Sequence, residues 1–358
     1  MYDAIIVGGR VSGAPLSMLL ARAGYRVLCV ERDRMPSDTL STHYMHPAGV
    51  ARLRNWGLLD AVERSGCPRI TRFEAHRGGE MSLEPFARDA GGDLQYALCP
   101  RREILDYILW EAAAEAGAEM RDRVRVTGLL RGEDGAVTGI EATDEDGRAV
   151  TEEARIVVGA DGSHSFVAGA TNPATYMEVE PLLCSYYSYW SGVETDGVET
   201  YFQPGAALLV FPTHHGQVNI GGAWPVERFA EVRQDIEGVF LETLRELAPG
   251  LSERAAAGER QEPFRGTREL PFHRRQPFGP GWALIGDAGA QIDSTLGLGM
   301  TKAFAEADQM AIALDIALSG ELPFAEIMLQ YQEARDQSQD LFREQNLAAS
   351  RYIAGVAN

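Results

Sequence analysis

The sequence predicts an α/β protein in which a parallel sheet is interrupted by a separate antiparallel one. Three observations predict it. An apolar run, YDAIIVG, leads at once into a glycine-bearing turn and a helical pattern. A second apolar run, GWALIGDAG, returns towards the far end of the chain. Between the two lie short alternating runs rich in Tyr, Trp and Phe.

The elements follow in order. YDAIIVG is a short, uniformly apolar stretch of the kind buried on both faces of a parallel sheet. GAPLSMLLARAG is helical, with Pro15 in the first turn, Leu16, Leu19 and Leu20 on one face, and Gly24 at the end. YRVLCVERD is a second strand, which completes a β-α-β unit. The loop MPSDTLSTHYMHP precedes a helix around AGVARLRNWGLLDAV. PRREILDYILWEAAAEAG is an amphipathic helix, with Ile104, Leu105, Ile108 and Leu109 at helical spacing. The stretch from Glu119 to Gly162 alternates around two turns, EDG and DEDG, and reads as a β-meander returning to a core strand, ARIVVGA. From Ser165 to about Arg268 the runs CSYYSYW, VETYFQPG, ALLVFP and QVNIGGAW predict an antiparallel sheet with one covered face. ERFAEVRQDIEGVFLETLRELAPGL is read as a helix, and a long helix begins near Gly299. The expected boundaries are 1–75, 97–165 and 267–330 for a discontinuous nucleotide-binding domain. Residues 76–96 and 166–266 form the inserted sheet, and 331–358 a C-terminal helix.

Composition excludes some partners. The chain has 358 residues and a formal net charge of -19, which repels a phosphate backbone or an anionic bilayer. Neither nucleic acid nor membrane is expected as a partner. No apolar run is long enough for a spanning helix, no leader pattern precedes the first strand, and a cytoplasmic location is the default. Cys29, Cys67, Cys99 and Cys184 are scattered without a C-x-x-C, which suits buried thiols in a reducing compartment. No His/Cys/Asp spacing predicts a metal.

The first turn, IIVGGRVSGAP, approximates G-x-G-x-x-G, the pattern that aims backbone N–H groups and a helix dipole at a pyrophosphate. Gly8 and Gly13 hold the first and third places. Arg10 stands where the middle glycine allows close phosphate approach. Its side chain either turns aside, displaces the cofactor outward, contacts phosphate itself, or is merely solvated. Glu31 closes the second strand at the spacing of a ribose-binding carboxylate, which favours FAD or NAD over NADP. Arg32 beside it is a further candidate. Near the far end, Gly286 and Asp287 close a strand where a carboxylate can accept from a sugar hydroxyl. The helix opening near Gly299 offers positive partial charge to an anionic ring system.

These motifs together resemble the FAD-dependent monooxygenase superfamily with the para-hydroxybenzoate hydroxylase fold. The resemblance lies near the branch shared by flavin halogenases and geranylgeranyl reductases. It rests on GGRVSG with Glu31, on GADGSHS at 159–165, on GDAG…GLGM at 286–300, and on an R-x-x-L helix at Arg102 and Leu105. It implies a Rossmann-like FAD-binding domain of the glutathione-reductase-like type with an inserted antiparallel β-sheet substrate domain. By resemblance, Gly8, Gly13 and Glu31 hold the ADP half, Arg102 reaches ribose or pyrophosphate, and Asp161 is structural near the pyrophosphate. Asp287 takes the ribitol, and Leu296, Gly297, Leu298 and Gly299 line the isoalloxazine. The chain departs from the pattern at Ser294, where the superfamily has Pro, and at Ala290, Gln291 and Ala168.

The resemblance implies NADH or NADPH as reductant and O2 as co-substrate. One oxygen would pass, through a flavin C4a-hydroperoxide, to a small apolar or aromatic molecule of the kind met in secondary metabolism. A reductase or dehydrogenase of a C=C or C–N bond is the alternative, and a non-catalytic flavin binder a third. A halogenase is disfavoured, because the W-x-W-x-I-P segment has no counterpart. His43, in the early loop, is the candidate proton relay. Tyr187, Tyr189, Trp190 and Phe211 are candidate pocket walls, with sheet core as the competing reading. His214 and His215 are expected to be solvated in a turn.

Overall fold

The computed structural model describes residues 1–86, 95–268 and 271–356. The first half comprises β1 (Tyr2–Val7), α1 (Gly13–Arg22), β2 (Val27–Val30), α2 (Pro47–Trp56), α3 (Leu59–Arg64), β3 (Phe73–Arg77), β4 (Glu80–Leu83), α4 (Arg102–Glu115), β5 (Glu119–Arg121), β6 (Arg125–Arg131), β7 (Val137–Thr143), β8 (Ala149–Gly159) and α5 (Phe166–Thr171). Then come β9 (Thr175–Val179), β10 (Leu183–Ser191), β11 (Val198–Gln203), β12 (Ala206–Pro212), β13 (Val218–Pro225), α6 (Phe229–Gln234), α7 (Ile236–Leu247) and α8 (Pro249–Ala257). The chain closes with β14 (Glu259–Arg260), β15 (Arg265–Thr267), β16 (Phe272–Arg275), β17 (Phe278–Gly279), β18 (Trp282–Leu284), β19 (Ala290–Gln291), α9 (Gly299–Ser319) and α10 (Phe324–Ala354).

The first sheet runs β17-β18-β8-β1-β2-β5. Its middle strands are parallel, and β1 pairs with both β2 and β8. Ile5, Ile6, Leu28, Val157 and Val158 are fully buried, as a strand covered on both faces requires. Register sets the carboxyl edge. Val7 lies opposite Val30 on one side and Gly159 on the other, and Gly159 opposite Leu284. The residues just beyond those ends therefore share one crevice, where an open α/β sheet binds its ligand. Residues from β6 through the first half of β8 form the expected meander.

The second sheet runs β14-β10-β13-β12-β11-β3-β4, antiparallel except where β11 meets β3. Its outer face packs on α6–α8 through Trp190, Trp224, Phe240 and Leu244. Its inner face looks towards the loops of the first domain and the end of α10.

Three boundaries differ from expectation. The stretch read as one helix from Glu227 is three, because Asp235 accepts the Gly238 N–H (2.9 Å) to start α7 and Pro249 starts α8. The C-terminal helix begins at Phe324 rather than 331, just after Pro323. Within the expected insert, α5 packs Val167 and Ala168 into the first domain's core, and residues 87–94 lie outside the described residues. All four cysteines are buried and free. No described helix is long and apolar enough to cross a membrane.

Candidate active site

Three turns meet at the carboxyl edge. Gly8 has φ +100°, and a Cβ there would lie 2.5 Å from the Ala160 carbonyl oxygen. A Cβ on Gly13 would fall 1.8 Å from the Gly8 carbonyl oxygen, so α1 must open on a glycine to leave the strand this tightly. A Cβ on Gly286 would fall 2.2 Å from Ser12 Oγ, which seats the far turn against the first. The helices that open here, α1 and α9, have no side-chain cap and no acidic residue in the first turn. Their N-terminal N–H groups and dipoles face the crevice, the arrangement an anionic cofactor needs.

Glu31 is buried at the end of β2 and accepts the Gly9 N–H (2.9 Å) and the Asp33 N–H (3.1 Å). Arg32 beside it is exposed and faces Asp33 at 3.8 Å. Arg10 turns aside, the first of its four expected alternatives. Its guanidinium donates to Asp106 and Asp33 (3.2 Å each) and to Ser37 through both the carbonyl oxygen and Oγ (3.0 Å each). It is only 16% exposed, so it is not solvated. Arg102 makes a two-pronged contact with the same buried Asp106 (2.9 and 3.0 Å). Asp161 accepts from Ser165 Oγ (2.5 Å), Phe166 N–H (2.7 Å) and Val167 N–H (3.2 Å), so its carboxylate caps α5 while its backbone adjoins Gly8. Asp287 is half-exposed at the strand end, 3.8 Å from Lys302 Nζ.

The loop of Leu296, Gly297, Leu298 and Gly299 is clamped from both sides. His46 Nε2–H donates to the Leu296 carbonyl (2.8 Å), and Asn346 on α10 accepts the Leu296 N–H (3.0 Å). Asp293, held by Thr295 and by Ser350 (3.1 Å), is pushed up to about 6 by burial against those hydrogen bonds. Tyr44 lies against Gly297. The early loop thus reaches the α9 turn.

Beside it, His43 is fully buried with φ 61°, a strained conformation for a residue with a Cβ. Its Nε2 faces Asp38 Oδ1 at 3.8 Å, and Tyr189 Oη lies 3.2 Å from Nδ1 and 3.1 Å from Nε2. With Nε2–H turned to the carboxylate, Tyr189 donates to Nδ1. Burial holds His43 below the usual imidazole range, with Asp38 opposing. Burial pushes Tyr189 well above the usual phenol range. Burial raises Asp38 too, but contacts from His43, the Thr39 N–H and Arg265 outweigh it and hold Asp38 at about 2. The set is a carboxylate, a neutral imidazole and a phenol, running from the buried sheet face to Arg265, which is 42% exposed and 2.7 Å from Asp38.

Tyr187 joins this cluster edge-on, at 5.8 Å from both His43 and Tyr189. Phe211 stacks on Tyr44 at 4.9 Å. Trp190 does not belong with them. It stacks on Phe240 at 5.6 Å, on the helix-covered face. The reason is strand parity, since Trp190 is odd-numbered steps from Tyr187 and Tyr189 and so projects oppositely; the alternation alone could have excluded it. His214 is buried rather than solvated. Its Nδ1 accepts the Arg101 N–H (3.1 Å) and its Nε2–H donates to Ser65 Oγ (2.8 Å).

Sequence reasoning missed Asp106, Arg101, Asp38 and Glu306. Glu306 accepts from the Gly286 N–H (2.6 Å), Lys302 (2.9 Å) and Gln339 (2.6 Å). The i, i+4 spacing of Arg102 with Asp106 and of Lys302 with Glu306 was a usable signal. No trio of metal-ligating side chains gathers among the described residues.

A family model described as an FAD binding domain matches residues 1–344. The chain belongs to this family. It is therefore an FAD-dependent oxidoreductase, and the converging turns and uncapped helix ends fit that cofactor. Digeranylgeranylglycerophospholipid reductase 1 of Methanococcoides burtonii is 27% identical over 310 residues, 84% of this chain and 71% of that one. Tryptophan 2-halogenase of Chondromyces crocatus is 24% identical over 342 residues, 92% of this chain and 64% of that one. Among solved structures, the myxobacterial chondrochloren halogenase CndH matches with a TM-score of 0.88 at 21% identity, covering 98% of this chain and 83% of that one. PqsL of P. aeruginosa in complex with 2-aminobenzoylacetate matches with a TM-score of 0.83 at 23% identity, covering 99% and 98%.

Proposed function

We propose that this flavoprotein is an NAD(P)H-dependent monooxygenase of a small apolar or aromatic molecule. The observation that carries it is the buried Asp38–His43–Tyr189 set on the inner face of the substrate sheet, beside the α9 turn. Gly8, Gly13, Glu31, Arg102, Asp287 and the 296–299 turn would hold FAD, with Arg10, Arg32, Asp161 and Gly286 shaping the crevice around it. When bound, FAD would pass the electron pair of a nicotinamide to O2. The overall change is NAD(P)H + H⁺ + O2 + R–H to NAD(P)⁺ + R–OH + H2O, which consumes one proton. To carry that proton inward from the Asp38 edge, His43 would take it at Nε2 and switch tautomer, so that Nδ1–H donates to Tyr189 and the phenol O–H turns to the chamber, while Tyr44, Phe211 and Tyr187 keep water out. The relatives named as 6-methylpretetramide 4-monooxygenase and PqsL support this class.

The halogenase reading is weaker for a specific reason. A lysine would be expected in the substrate region of a halogenase, and the only lysine in the chain, Lys302, is buried on α9 and bound to Glu306. The reductase reading keeps one support, the match to a digeranylgeranylglycerophospholipid reductase across 84% of this chain. Product formed under air with 18O2 should carry the label. Unlabelled product, or turnover that persists without oxygen, would replace oxygen insertion by reduction.

A further inference from the structure

Two buried hydrogen-bond donors on the inner sheet face have no acceptor among the described residues. Asn219 is 2% exposed, and its Nδ2 has no partner among the described residues. Arg101 is 5% exposed, and its Nε is likewise unpartnered, although its other nitrogens reach Gln217 (3.2 Å) and Glu262 (2.5 Å). Both border one ring. Asn219 lies directly opposite Tyr189 on β10 and Phe211 on β12, and the Arg101 guanidinium sits 3.7 Å over the Tyr189 ring. A buried donor left unpaired carries its full desolvation cost, so native proteins rarely leave two together.

The neighbouring position on the same face is open. Gly221 lies two residues along a central strand, between Tyr187 and Leu209. A Cβ there would touch only its own sheet neighbours, at 3.6 to 4.0 Å. A glycine in the middle of a central strand, where the register is regular and no bulge explains it, leaves room for close approach by another group. Tyr44, Phe211 and Leu209 make the surroundings apolar.

We infer that Asn219 and Arg101 form an acceptor-recognising subsite, which takes a carbonyl or carboxylate oxygen of an otherwise apolar, flat substrate. The inference rests on the inner face being the substrate chamber. A site built to hydrogen-bond one oxygen rejects an isostere lacking it.

The test uses the FAD-loaded protein and two near-isosteric probes, 2-acetylnaphthalene and 2-isopropenylnaphthalene, titrated against the flavin absorption spectrum. The wild type should bind the ketone about tenfold more tightly than the alkene, the worth of one neutral hydrogen bond. Asn219→Leu should show a clearly reduced preference for the ketone, keeping only what Arg101 supplies, with its alkene affinity kept and its melting temperature equal to or above wild type. Asn219→Ala, which removes the amide without adding bulk, should lose as much of the discrimination. Equal binding of both probes by wild type would overturn the subsite while leaving the chamber standing. Undiminished discrimination in both variants would do the same, and so would a melting temperature lowered in Asn219→Leu, because the amide would then be structural. If neither probe perturbs the flavin, the chamber itself is wrong and the subsite falls with it.

Discussion

The cofactor crevice and the inner sheet face are built on opposite terms. In the crevice nearly every charged group is matched. Asp106 joins Arg10 to Arg102, Glu306 joins Lys302 to Gly286 and Gln339, and Asp161 caps a helix. On the sheet face, aromatic rings surround a strained His43 and two donors without partners among the described residues. The first region is finished before a ligand arrives, whereas the second keeps two donors with no acceptor among the described residues. That is the division expected when a cofactor is held permanently and a substrate comes and goes.

The contrast can be broken most severely at Gly13. Gly13→Val forces a side chain into the Gly8 carbonyl. The purified protein should lose its FAD, read as the ratio of flavin to protein absorbance, and retained yellow colour would refute the tight-turn argument. Next in size is Asp106→Leu. It takes the carboxylate partner from buried Arg102, while Arg10 keeps Asp33 and Ser37, and should cost roughly 3–5 kcal/mol in denaturant unfolding, as breaking a buried ion pair does. A change under about 1 kcal/mol would mean that Arg102 finds another partner.

The sheet side has its own acid weakness. Burial, then the charges of His215 and Arg101, hold His214 down to about 4. The unfolded chain takes up that proton near the ordinary imidazole value, so the stabilisation is full above about 6.5 and is lost as pH falls through 4. The loss is about 3 kcal/mol at most. His214→Gln, which can still accept from Arg101 and donate to Ser65, should flatten urea-melt stability across that window. An unchanged slope would show that His214 does not set it.

Tyr189→Phe should lower turnover about a hundredfold with unchanged FAD content, since one positioned proton donor is worth at least that much. A wild-type rate would remove Tyr189 and His43 from the reaction. The smallest effect is expected at Gly221. Gly221→Ala should alter stability by less than about 0.5 kcal/mol yet raise KM, because the added methyl enters the chamber rather than the core. An unchanged KM would move the substrate elsewhere.

By itself the sequence determined the cofactor side. Gly8, Gly13, Gly286 and the Gly-Asp turns are local signals, because a turn that tight excludes a side chain wherever it occurs, and a carboxylate at a strand end needs only its own strand to place it. Strand parity likewise determined that Tyr187 and Tyr189 share a face and Trp190 does not. Only the tertiary structure decided the rest. Asp38, His43 and Tyr189 are brought together by packing the early loop on a sheet strand far away in sequence, and Arg10 is turned aside by Asp33, Ser37 and Asp106. Whether a buried amide such as Asn219 has a partner depends on every element that covers it, and no local pattern carries that information.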